Sequence, residues 1–169
     1  MRNGRPPRIA ARGRGFTYLT ALFLVALMGL ALAATGEVWQ ISAQREKEIE
    51  LLFVGKQYRK AIELYVKSSL GVARYPRQLE DLLKDPRKPE TQRYLRRLYA
   101  DPVTGKNEWG LVRAADGGIA GVFSLSEDTP LKVSGFRPED AVLAGRTKYM
   151  DWKFEYIAGV PVTAPAPAK

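Results

Sequence analysis

The only side chains in this 169-residue chain that could do acid–base chemistry near neutrality are carboxylates and hydroxyls, because it contains no His and no Cys. Without thiols there is no disulfide framework, no thiolate nucleophile and no Cys-based metal site. Without imidazole the usual general base and the commonest transition-metal ligand are missing. A hydrolase triad or a zinc enzyme is all but excluded. The paired acids Glu127-Asp128 lie just before Pro130 with no visible partner to tune them. Gly13-x-Gly15 and Asp116-Gly117-Gly118 are glycine pairs outside any strand–loop–helix phosphate context. The expectation is a protein that is not an enzyme and carries no cofactor.

Its net charge of +9 is unevenly spread. Arg2, Arg5, Arg8, Arg12 and Arg14 fall in residues 1–15, which hold no acid. Setting these five aside leaves 22 basic against 18 acidic side chains. A nucleic-acid binder shows its excess as a patch on the folded body. Here more than half of it sits on a short arm, and nucleic acid is not an expected partner.

The segment behind the arm gives it meaning. Residues 16–36 read FTYLTALFLVALMGLALAATG, without a charge. About 20 apolar residues at 1.5 Å each cross the ~30 Å hydrocarbon core of a bilayer. Thr17, Thr20 and Thr35 can return their hydroxyls to carbonyls one turn back. The arginines place the N-terminal end in the cytoplasm and the body outside. Three fates compete: a secretory signal cut at Ala31-Leu32-Ala33, an uncleaved single-pass anchor, or a cut between Gly15 and Phe16 that keeps the apolar run.

Residues 37–71 read as an amphipathic helix. Leu51, Val54, Tyr58, Ala61/Ile62 and Tyr65 form one apolar stripe at spacings of three and four. Lys47, Glu50, Lys56, Arg59, Lys60, Glu63 and Lys67 lie opposite, with Arg59–Glu63 and Glu63–Lys67 spaced for helix pairs. No Pro interrupts Phe16 to Leu70, and Gly71 is the expected C-cap. An unbroken helix of that length would be a spine of about 80 Å.

The body occupies residues 72–158. Pro76 forces Tyr75 into an extended conformation. Leu79, Leu82 and Leu83 predict a short helix running to Lys84, and Thr91–Tyr99 a second with Leu95, Leu98 and Tyr99 facing in. Arg93, Arg96 and Arg97 read as its solvated face, paired with Glu80, Asp81 and Glu90. Asp101-Pro102-Val103-Thr104-Gly105-Lys106-Asn107 is dense in turn residues. Trp109, Leu111 and Val112 predict a strand, Ala115–Gly118 a hairpin turn, and Ile119–Ser126 its partner. A last strand is predicted at Tyr149–Ile157, where Met150, Trp152, Phe154 and Tyr156 alternate with Asp151, Lys153 and Glu155. Its aromatic face, with Trp109, is expected to receive the spine's stripe. The Ala/Pro tail, 159–169, reads as disordered.

Two motifs together carry a resemblance. Arg12-Gly13-Arg14-Gly15 followed by Phe16-Thr17-Tyr18-Leu19-Thr20 resembles the class III leader of type IV pilins and type II secretion pseudopilins. Tyr75-Pro76, Leu79–Leu83, Arg96–Gly105 and Glu108-Trp109-Gly110 are similar to pseudopilin-like proteins of the general secretion pathway. The resemblance covers roughly residues 12–157. It implies an α+β, pilin-like fold: a long N-terminal spine packed on a small antiparallel sheet. It implies cleavage after Gly15 by prepilin peptidase and methylation of Phe16. It further implies an inner-membrane, single-pass location with the body periplasmic, and partners in the membrane, other pilins or pseudopilins, and an assembly platform with its ATPase.

One position departs from the family. Glu usually stands fifth in the mature chain, where its buried carboxylate meets a neighbour's N-terminal amine; here that residue is Thr20. The departure points to a minor or initiating subunit of a secretion pseudopilus or pilus-type machine. Some major pseudopilins hold calcium in a C-terminal acidic loop. Asp116, Glu127, Asp128, Glu139 and Asp140 do not follow a known oxygen-ligand spacing and read as surface acids, so no metal is expected. The alternative to a filament subunit is an anchored or secreted periplasmic binding module.

Overall fold

The computed structural model describes residues 14–69 and 73–159, with the side chains of 14, 15 and 31–38 excepted. The leader, the predicted Gly71 cap, the Ala31–Ala33 site, Thr35 and the tail beyond Gly159 lie outside the described residues or side chains. The architecture is α+β, with one long helix and a three-stranded antiparallel sheet. The helix, α1, spans Arg14–Lys67. The chain divides into two compact units, Met1–Ser42 and Ala43–Lys169.

The described residues of the first unit belong to α1, and from Phe16 to Leu30 its surface is apolar. Phe16, Phe23, Val25, Met28 and Leu30 are all exposed. Among the described residues no helix is long and apolar enough to cross a membrane. The described side chains of the predicted 16–36 span stop at Leu30.

The second unit is built around the later turns of α1. Leu51, Val54, Tyr58, Ala61, Ile62 and Tyr65 are all buried, as the stripe predicts, and Val66 joins them. They pack in one core with Leu82, Leu95, Trp109, Ile119, Val122, Leu143, Tyr149, Trp152 and Phe154. Gly55 lets the helix approach this closely: a Cβ there would lie 2.3 Å from Cγ of Phe154. At such a distance something must shift, so a bare backbone is required.

Strands β1 (Gly110–Arg113), β2 (Ile119–Phe123) and β3 (Phe154–Glu155) lie in that order, each pair antiparallel. Leu111 pairs with Val122 and Val122 with Phe154. The hairpin turn falls where predicted: Gly117 has φ +78°, and the Gly118 N–H donates to Oδ1 of Asp116 at 2.9 Å. Central strand β2 is buried from Ile119 to Val122 without polar alternation, the pattern of a strand covered on both faces.

Several local expectations change. The short helix is one 3₁₀ turn, Leu79–Leu82. Residues 91–99 form no helix. Their backbone donors turn elsewhere: the N–H groups of Tyr94 and Leu95 both donate to the Leu82 carbonyl, at 2.9 and 3.0 Å. Leu95 is buried, but Leu98 is exposed. Arg93, Arg96 and Arg97 form none of the predicted ion pairs among the described residues. Asp81 instead accepts from the backbone of Arg77 and Gln78, and Arg97 sits 5.0 Å from the Tyr99 ring centroid.

The last predicted strand is broken by a 3₁₀ turn at Tyr149–Asp151, leaving only Phe154–Glu155 in the sheet. That turn changes the phase, so Tyr149 is buried rather than Met150, while Trp152 and Phe154 remain inside. Arg59 does not reach back to Glu63. It crosses to Asp140 at 2.6 Å, and Glu63 pairs with Lys60 and Lys67. Asp140 is therefore a buried partner of α1, not a surface acid.

Helix α1 ends at Lys67, and its C-terminus is closed by Arg87. The guanidinium donates to the Tyr65 carbonyl at 3.0 Å and to both oxygens of Asp85. A cation here matches the negative end of the helix dipole.

Candidate functional site

The predicted functional residues fall in two places, one in each unit. In the first unit Gly15 and Phe16 lie in the opening turn of α1. The Thr20 hydroxyl donates to the Phe16 carbonyl at 2.8 Å. This is the back-bond to residue i−4 that the sequence allows. The hydroxyl thereby spends its one proton inside its own helix. It presents no charge, and a methyl in place of a carboxylate, on a helix face it shares with the exposed Phe16, Phe23 and Leu24.

In the second unit the turn-rich motif folds into a clasp around Asp101, whose side chain is fully buried. Its carboxylate accepts from the Val103 N–H at 2.9 Å, the Thr104 hydroxyl at 2.9 Å and the Ser124 hydroxyl at 2.6 Å. Its carbonyl accepts from the Gly105 N–H at 2.7 Å, and Gly105 takes φ +71° to close the turn. Half-buried Pro102 fills the position that starts this turn. A buried carboxylate is tolerable when several donors satisfy it.

The clasp is fastened to α1 through aromatics. Trp109 donates Nε1–H to the Tyr99 carbonyl at 2.8 Å. The Tyr58 hydroxyl donates to that carbonyl and accepts from the Tyr99 N–H at 2.9 Å. The Tyr58 and Trp109 rings meet edge to face with centroids 5.4 Å apart. Burial pushes the Tyr58 phenol up from its ordinary pKa. Gly110 has a packing reason: a Cβ there would lie 2.2 Å from the Phe123 ring. The motif is a brace that locks the hairpin to the helix.

The five acids do not converge. Glu127 pairs with Lys148 at 2.8 Å, Glu139 with Lys56, and Asp140 with Arg59. Asp116 caps the hairpin turn, and Asp128 accepts from the Ser126 hydroxyl at 2.8 Å. Among the described residues no group of three or more acids is placed to hold a metal ion.

Sequence reasoning missed Glu48. This residue of α1 is buried, and its Oε1 accepts from the backbone N–H groups of Leu131 and Lys132 and from the Tyr149 hydroxyl at 2.9 Å. Gln44, one turn earlier, donates to the Thr129 carbonyl and to the same hydroxyl. Burial drives the Tyr149 phenol up to about 12. The signal was spacing: Glu48 stands three residues before Leu51, where the apolar stripe would continue.

No family model matches the chain, and neither does any curated protein or solved structure.

Proposed function

We propose that the chain is a pilin-like structural subunit, of the minor pseudopilin kind, in a type II secretion pseudopilus or type IV pilus-type machine. The observation that carries this reading is the surface of α1 from Phe16 to Leu30, where every large side chain is apolar and exposed. Such a surface demands cover. Lipid would supply it before assembly, and the helices of neighbouring subunits afterwards. The α+β body built on the later turns of α1, and the Asp101 clasp that fastens the hairpin to the helix, are consistent with a pilin-like fold. In this reading the subunit is anchored in the inner membrane with its body periplasmic until a platform and its ATPase extract it into a short filament. Prepilin peptidase would cut after Gly15.

The mature N-terminus tests the reading. Intact-mass or Edman analysis of protein from membranes should give Phe16, N-methylated. An N-terminus at Ala34 would mean a removed signal, and one at Met1 an unprocessed anchor. Either would overturn the filament reading.

A further inference from the structure

On the body, α1 turns an apolar strip outward. Ile49 and Phe53 are 69% and 54% exposed, on the side of the helix opposite Tyr58. Beside them a groove of about 370 Å³ opens between α1 and residues 132–140, lined by Leu52 and Phe136 and by the Lys56 and Asp140 side chains, which are ion-paired to Glu139 and Arg59. Lys132 and Arg137 also line it. The Lys132 ammonium lies 5.2 Å from the Phe136 ring centroid. At about 100° per residue, Glu46 and Glu50 fall on the flank of the strip away from the groove, and Leu52 and Arg59 on the flank toward it. The strip therefore has an acidic side and a basic side. None of Glu46, Glu50, Lys132 and Arg137 forms a salt bridge among the described residues.

We propose that this strip is a docking surface for a second copy of the chain, with the two α1 helices parallel. Both halves of the complement stand on one chain: unpaired acids on one flank, unpaired bases on the other, apolar side chains between. Two copies facing each other in parallel place each acidic flank against the partner's basic flank. Turned antiparallel, they would set like charge against like, which costs affinity and rejects that pose. The arrangement thus selects orientation as well as partner. It gives the subunit a lateral contact outside the membrane segment, and for its setting it rests on the filament reading.

The absence of cysteine makes the test direct. Full-length Glu50→Cys and Lys132→Cys variants, one carrying a mass tag, are mixed in detergent and oxidised. Detergent, unlike a membrane, imposes no common orientation. The mixture should give a tagged–untagged disulfide dimer about tenfold more abundant than either homodimer, and the dimer should weaken at high salt. An Arg96→Cys variant should cross-link with neither. The reversed pair Glu50→Lys with Lys132→Glu should retain self-association that each single reversal loses. Homodimers of the Glu50→Cys variant alone, cross-linking only to a different protein, or no dimer from variants that melt like the parent would overturn the inference. The N-terminus of the same preparation is read separately: a mixed dimer supports this contact whichever terminus is found, and its absence removes the contact even from chains that begin at Phe16.

Discussion

The Glu48 carboxylate accepts the Tyr149 hydroxyl at 2.9 Å across 101 positions of sequence, and the same oxygen holds the Leu131 and Lys132 amides. One buried acid on α1 thus fixes where the 128–149 segment lies. Replacing it by Ala leaves a buried phenol and two partly buried backbone donors short of an acceptor, which should cost about 2 kcal/mol. Glu48→Gln keeps one acceptor oxygen and should cost less, about 1 kcal/mol. Thermal melts of the full chain in detergent, monitored in the near-UV where Tyr149 and Trp152 report, measure both. Equal melting of Ala and parent forms would show that the carboxylate does not hold the segment.

The contact between helix and sheet is set by a missing atom. A Gly55→Ala Cβ would fall inside the Phe154 ring, 2.3 Å from its Cγ. Overpacking of this kind should destabilise by about 1–3 kcal/mol, and Phe154→Ala alone by about 3–5 kcal/mol. In the double variant the new methyl enters the space the ring vacated, so the two effects should sum to more than the double loses. A strictly additive double cycle would mean that the helix approaches the sheet somewhere else.

These contacts show what was legible in the chain and what was not. The stripe from Leu51 to Tyr65 was readable because a helix buries one face at fixed spacing, and every member is inside. The hairpin was readable because Asp116-Gly117-Gly118 supplies the turn chemistry that two short strands need. Thr91–Tyr99 misled: its helix formers are overridden by the Leu82 carbonyl, which takes the amides of Tyr94 and Leu95. Arg59 and Asp140, or Arg87 and the end of α1, meet only through tertiary structure, so local spacing assigned Arg59 to Glu63 and gave no sign of Arg87. Glu48 sits among Glu46, Lys47 and Glu50, and only its phase against the stripe sets it apart.

The end of α1 should carry an acid limb in the stability curve. The Arg87 guanidinium beside Asp85 holds that carboxyl down at about 2, below the ordinary value near 4. A depressed folded-state value means that the unfolded chain takes up the proton first. The stabilisation is therefore complete above about pH 4 and is lost as pH falls toward and through about 2, amounting to about 2 kcal/mol for a side chain closed to solvent. Asp85→Asn should be less stable at pH 7 and flatter across that interval. Urea titrations at stepped pH read the difference, and parallel curves for Asn and parent would remove the pair from the account.

In the filament reading, position 20 separates a minor from a major subunit. Its hydroxyl is satisfied by the Phe16 carbonyl at 2.8 Å, so it offers a neighbouring subunit neither charge nor a spare proton. A Glu at this position, buried in lipid or in a helix bundle, would need a cation to offset its desolvation, and the free amine of a neighbour's Phe16 is the group the filament reading supplies. Thr20→Glu should therefore raise incorporation along a filament at the expense of a terminal position, seen as longer filaments and more subunit per filament by quantitative immunoblot. Thr20→Val, which removes only an internal back-bond, should leave incorporation unchanged. If Glu and Val behave alike, position 20 meets no neighbour's amine, and the distinction between a minor and a major subunit must lie elsewhere in the chain.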